Sequence, residues 1–240
     1  MSLVKVFNRH LFKHLFFALI CFVPFGCAKY PKDLVNTVGA RLIFAFTVNN
    51  RINPNYIYVV ALRTSTDLNP TDGLGPLPLT QPPWGGGDGI VSGACTHYIK
   101  YDARYTAPFR IYKFLDNLLN NSREIDFATR FDTVDNSSRT LRFELDLTQL
   151  TDGNAAQAAA LQSVQVNFLT MDKIPVVHTD RKIWDALGNS QDPSDNRFIS
   201  VPLDVSGFYD NDYYGRIEPI GDVADADLDI VNFSVEVIKV

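Results

Sequence analysis

Catalytic signatures are missing from this chain. It has no Gly-x-Ser-x-Gly elbow to present a serine nucleophile, no Walker loop to cradle phosphates and no His-Glu-x-x-His helix to hold zinc. Basic charge is also scarce. Lys and Arg number 22 against 27 Asp and Glu, a formal net charge of −5, and this balance argues against nucleic acid, which demands clustered cations. Three cysteines in 240 residues give no disulfide framework, so stability must come from a packed core. The apolar run Leu15 to Val23 is shorter than the roughly 20 residues of a membrane-spanning helix and is ended by Pro24. No repeat of fixed period and no strand-helix-strand rhythm is visible, which removes solenoids and parallel α/β folds.

What remains is enough to fold. The composition is 46% hydrophobic and 12% aromatic, sufficient for a sizeable core in one β-rich domain. The apolar pattern centres on Leu42 to Leu62, where two runs flank Asn49-Asn-Arg-Ile-Asn-Pro-Asn55. Leu42, Phe44, Phe46 and Val48 share one face of the first run; Tyr56, Tyr58, Val60 and Leu62 share one face of the second, which predicts a hairpin. Thr64 to Ala94 carries five prolines and a Gly-rich end, a density that neither helices nor central strands tolerate. Strands are expected over Thr96–Tyr101, Phe109–Phe114, Glu124–Phe131, Leu141–Leu147, Val164–Thr170, Phe198–Leu203 and Ile230–Val240, with a helical turn at Leu115–Asn121 and a short helix at Asn154–Gln162. These elements predict an all-β fold, an antiparallel β-sandwich (immunoglobulin-like or jelly-roll-like) of about eight or nine strands with one short helix; a closed barrel is the second choice.

The N-terminus differs from the rest. Lys5, Arg9 and Lys13 stand without an acid before Leu15–Val23, which is the shape of a secretory signal peptide. Gly26-Cys27 after the apolar run resembles the lipobox of bacterial lipoproteins, with Pro24 and Phe25 where that pattern usually has Leu and a small residue. The resemblance covers the leader alone. It implies cleavage after residue 26, lipid on Cys27, a tether at 27–36 and a single sandwich domain at 37–240, anchored to the outer membrane or cell surface through the bilayer. Attachment of this kind requires at least two anchoring signals, which a diacylated and N-acylated Cys would provide. Cleavage after Ala28 is the alternative and would give a secreted product. Loss of three bases and no acid leaves 19 Lys and Arg against 27 Asp and Glu, a net −8.

Beyond the leader, candidate chemistry is sparse. Two histidines remain, His97 and His178, and Cys95 with His97 lacks the third or fourth ligand of a zinc site. Asp222, Asp225, Asp227 and Asp229 form the densest acid cluster. Their spacing imitates an EF-hand, but Ile230 occupies the position of the turn glycine, so only a looser calcium site is expected there. Tyr213 and Tyr214, next to Asp210, Asn211 and Asp212, together with the distant Trp84, Tyr101 and Tyr105, are residue types with which a sandwich binds sugars, though no sequence spacing fixes them on one surface. A structural or protein-interaction module is the first expectation, a carbohydrate-binding module, calcium-assisted or not, the second, and a hydrolase the third.

Overall fold

The computed structural model describes residues 40–84 and 86–239. The expected leader, the expected lipid attachment at Cys27 and the expected tether lie outside the described residues. Fourteen strands are present among the described residues: β1 (Ala40–Val48), β2 (Ile57–Ser65), β3 (Pro76–Pro78), β4 (Val91–Gly93), β5 (His97–Tyr101), β6 (Phe109–Phe114), β7 (Ser122–Phe127), β8 (Arg130–Phe131), β9 (Thr140–Asp146), β10 (Ser163–Met171), β11 (Trp184–Ala186), β12 (Ile199–Pro202), β13 (Gly207–Asp210) and β14 (Ile230–Lys239). The count exceeds the sequence expectation because several are pieces of two to four residues that periodicity over longer windows does not register.

The fold is the predicted all-β antiparallel sandwich. One sheet has the order β13-β14-β1-β9-β8; the other runs β11-β10-β2-β5-β6-β7, with β12 also on β10. Inward residues of both sheets make one core. On β1, Leu42, Phe44 and Phe46 face Leu145, Phe143 and Leu141 of β9 and Val237, Val235 and Phe233 of β14. Across the interior, Phe168 of β10 stacks on Phe233 at 5.4 Å and meets Phe46 at 5.4 Å, and Phe109 of β6 stacks on Phe143 at 4.7 Å. Each such ring contributes about 1.5–3 kcal/mol by leaving water. The outward positions of β1 and β9 include Arg41, Thr47, Thr140 and Arg142, the alternation expected of a half-exposed antiparallel sheet.

The predicted hairpin over Leu42 to Leu62 does not form. β1 pairs with β14 and β9, whereas β2 pairs with β10 and β5 in the opposite sheet. The intervening residues make an arch between the sheets. Their Asn side chains find partners elsewhere: Asn49 and Asn50 donate to the carboxylates of Asp229 and Asp227 at 2.8 and 2.7 Å. A similar crossing divides the predicted strand Glu124–Phe131 into β7 and β8, one in each sheet, around buried Ala128. Residues 115–121 form turns instead of a helical turn, because the Asp116 carboxylate accepts from the backbone of Leu118, Asn120 and Asn121 and competes with helical bonding. The predicted helix is α1 (Ala155–Ala160), capped by the Asn154 side chain, which accepts from Gln157 N at 3.1 Å.

The Pro-rich segment after β2 is ordered over the outer face of the larger sheet. Ile90, Val91 and Cys95 pack there with Val59 and Ala61 of β2, Tyr98 of β5 and Leu169 and Met171 of β10, making a second, smaller core. Asn167 donates to Pro76 O at 3.0 Å, and Arg63 pairs with Asp72 at 2.5 Å, fastening β3 and its approach to the sheet. The β5-β6-β7 end of this face carries exposed side chains. No described helix is long and apolar enough to cross a membrane.

Candidate functional site

Three segments distant in sequence bring buried carboxylates together. Asp185 sits on β11 opposite Thr170 of β10, and the Thr170 hydroxyl donates to Leu228 O at 2.6 Å, holding the 221–229 loop against the strand. Asp229 ends that loop just before β14, and Asp222 begins it. Oxygens of Asp185, Asp222 and Asp229 lie within 4.8 Å of one another. Glu218 lies close enough for the charges of Asp185, Asp222 and Asp229 to act on it, although it is not one of the three whose oxygens converge. All four are buried, with Asp185 and Asp229 at 0%, Glu218 at 3% and Asp222 at 8% exposure.

Backbone and hydroxyl donors hold these acids in place. Asp185 accepts from Ser190 Oγ at 2.6 Å, Ala186 N at 2.8 Å and Ile230 N at 2.6 Å. Asp222 accepts from Ser190 N at 2.7 Å, Glu218 from Gly188 N at 3.2 Å, and Asp229 from Gly221 N at 2.9 Å and Asn49 Nδ2 at 2.8 Å. One oxygen on each of two members, Glu218 Oε1 and Asp222 Oδ1, is buried without a hydrogen-bond partner. Burial first, and then the Asp222 charge, pushes Asp185 up to about 8. Burial followed by the charges of Asp185 and Asp222 pushes Glu218 up to about 11, and burial also raises Asp222. Among the described residues no Lys or Arg forms an ion pair with any of the four.

The four acids expected to share a site thus divide. Asp222 and Asp229 join the buried group, while Asp225 and Asp227 fasten the β1-β2 arch. Asp225 accepts from Tyr56 OH at 2.7 Å; Asp227 accepts from Asn50 Nδ2, and its carbonyl accepts from Tyr58 OH at 3.0 Å. Spacing in sequence did not reveal Asp185 and Glu218. A signal was present in Ile183-Trp-Asp-Ala-Leu187, an acid set among apolar residues on a short strand.

The aromatic candidates also separate. Trp84 is buried at 9% exposure under the ammonium of Lys182, 5.4 Å from its ring. Tyr213 and Tyr214 contact each other at 5.0 Å, Tyr209 meets Tyr213 at 5.1 Å, and Tyr214 OH donates to Ser200 O. Tyr105 belongs to a different group, with the Arg110 guanidinium 4.8 Å from its ring and 5.8 Å from that of Phe127. Cross-strand register makes this outer face. Lys100, Arg110 and Phe127 form one row over β5-β6-β7, and Tyr98, Tyr112 and Glu124 the next. Tyr98 and Tyr112 stack at 4.7 Å, Lys100 lies over Tyr112, and Glu124 pairs with Arg110. Tyr105 and Phe127 are each 47% exposed.

Cys95 and His97 form no thiol-imidazole pair. The Cys95 thiol donates to the carbonyls of Leu62 and His97, and burial pushes it up to about 12. The His97 ring bonds Thr96 Oγ1 at 2.9 Å, leaving Nε2 buried without a partner. No known protein family, curated protein or solved structure matches the chain.

Proposed function

We propose that the protein is an exported lipoprotein whose sandwich acts as a protein-interaction module, held at the outer membrane or cell surface by lipid on Cys27. The observation that supports the interaction role is the pair of exposed rings Tyr105 and Phe127 on either side of the half-buried Arg110 guanidinium, with Lys100 and Tyr112 beside them. Tyr and Arg are the types that dominate binding energy at interfaces, and stacking pre-orders the guanidinium, so less side-chain entropy is lost on docking. Two half-exposed aromatic rings around an Arg whose charge Glu124 already meets favour a partner that offers a flat apolar patch. The leader sequence supports the anchor, and two or more acyl chains would make it lasting.

Palmitate labelling of wild type against Cys27→Ser tests the anchor; equal labelling refutes it. For the face, a photo-crosslinking residue at position 127 should capture a partner that one at position 142, on the other sheet, does not. Arg110→Glu should abolish capture. Equal capture at both positions, or none, overturns the reading. A sugar ligand is the second reading, favoured by the exposed ring of Tyr105. A glycan array with no bound glycan removes it.

A further inference from the structure

We infer that Asp185, Asp222 and Asp229, with the buried Glu218 carboxyl acting on them from beside the group, bind one hard divalent cation, calcium in preference to magnesium, which clamps β11, the 221–229 loop and the start of β14 together. Three observations carry this. First, three carboxylate oxygens lie within 4.8 Å of one another, so a single ion at the Ca–O distance of about 2.3–2.6 Å can touch all of them. Second, Glu218 Oε1 and Asp222 Oδ1 are buried acceptors with no donor, although the other oxygens of the same residues are bonded to backbone N–H groups. A buried polar atom without a partner is costly, and two in one cluster mark a place built for something else. Third, no Lys or Arg side chain among the described residues is ion-paired with the group, so its negative charge can be balanced only by protons or by a bound cation that displaces them.

The donors decide the cation. The cluster offers carboxylate oxygen alone, without imidazole or thiolate, which selects calcium, magnesium or manganese over zinc and copper. Magnesium keeps several waters and requires near-ideal octahedral geometry; side chains this buried, each fixed by backbone donors, leave little room for that shell. Calcium accepts irregular oxygen shells. A surface groove of about 470 Å³, lined by Asp210, Asn211, Asp212, Arg216 and Glu218, leads to Glu218 from solvent; Arg216 is paired with Asp212. Because Asp229 also accepts from Asn49, the ion would tighten the β1-β2 arch as well. The site is separate from the Arg110 face, and it stands or falls independently of it.

The test is isothermal titration of the EDTA-stripped full-length chain with CaCl2 and with MgCl2, with thermal melts over the same concentrations. One calcium per chain is expected, with a melting temperature that climbs with the logarithm of free calcium and a much smaller response to magnesium. Glu218→Gln, beside the ligands, should weaken calcium binding about 10–100-fold, and Asp222→Asn, at a ligand, by at least as much. Both change charge with little change in volume, and circular dichroism in EDTA should show the wild-type spectrum. Asp225→Asn, on the same loop but outside the cluster, should bind calcium as wild type does. A folded wild-type chain with neither heat nor a melting shift would overturn the inference. So would undiminished binding by both cluster variants, or equal affinity for magnesium.

Discussion

Acid should weaken this protein through His97, and the size of the effect is set by its surroundings. The imidazole is 2% exposed on β5. Burial first, and then the nearby Lys113 ammonium, lower it from 6.5 to about 4 against the opposing charge of Asp152, which pairs with Lys113 at 2.5 Å. The folded protein therefore resists a proton that the unfolded chain accepts. The stability this represents is fully present above about pH 6.5 and is lost as the pH falls toward 4. At about 1.36 kcal/mol per pH unit, the gap between 6.5 and about 4 sets a ceiling of about 3 kcal/mol, of which about 2 kcal/mol is already gone at pH 5. Urea unfolding of wild type and His97→Gln from pH 8 to pH 5 measures it, because the carboxylates common to both proteins cancel in the difference. Wild type should lose about 2 kcal/mol more than the variant over that range. Parallel curves would refute the account and would mean that the ring accepts a proton in the folded state as readily as in water.

Two further substitutions probe the framework. Phe168→Ala removes a fully buried ring that contacts Phe44, Phe46 and Phe233, and should cost about 3–5 kcal/mol in urea unfolding; a loss under about 1 kcal/mol would mean that the core collapses to fill the space. Gly188 has φ +108°, and a Cβ there would stand 1.8 Å from Asp195 O, so Gly188→Ala should cost at least about 3 kcal/mol and disturb the Glu218 carboxylate that its N–H holds. Wild-type stability in that variant would contradict the backbone path at this turn.

Period-two apolar patterning made the strands legible. Phe109–Phe114 coincides with its predicted span, and β10 and β14 agree within a residue or so, because their apolar residues at period two fill the shared core, although β10 is buried on both faces. Partners were less legible. Leu42–Val48 and Tyr56–Leu62 read equally well as a hairpin or as an arch, since alternation identifies a buried face but not which sheet lies on either side of it. What decided the matter was a set of distant acids, Asp225, Asp227 and Asp229, that bind the Asn and Tyr side chains of the connection. The carboxylate cluster was half visible for the same reason. Asp222 and Asp229 belong to a local run of acids that draws the eye, whereas Asp185 and Glu218 are isolated in sequence and reach the site only through strand pairing and the return of the chain.

The arch has a consequence for the order of assembly. Because β1 does not pair with its neighbour in sequence, its first partner in register is β9, and its other edge waits for β14, with Ala40 opposite Lys239. The β5-β6-β7 meander, joined by short connections, has the lowest loop-closure entropy in the sandwich and should form first. The smaller sheet should follow late, completed only when Ile230–Lys239 settles between β1 and β13. Until then β1 is an apolar strand with an open edge, the stretch of this chain most exposed to pairing with another molecule.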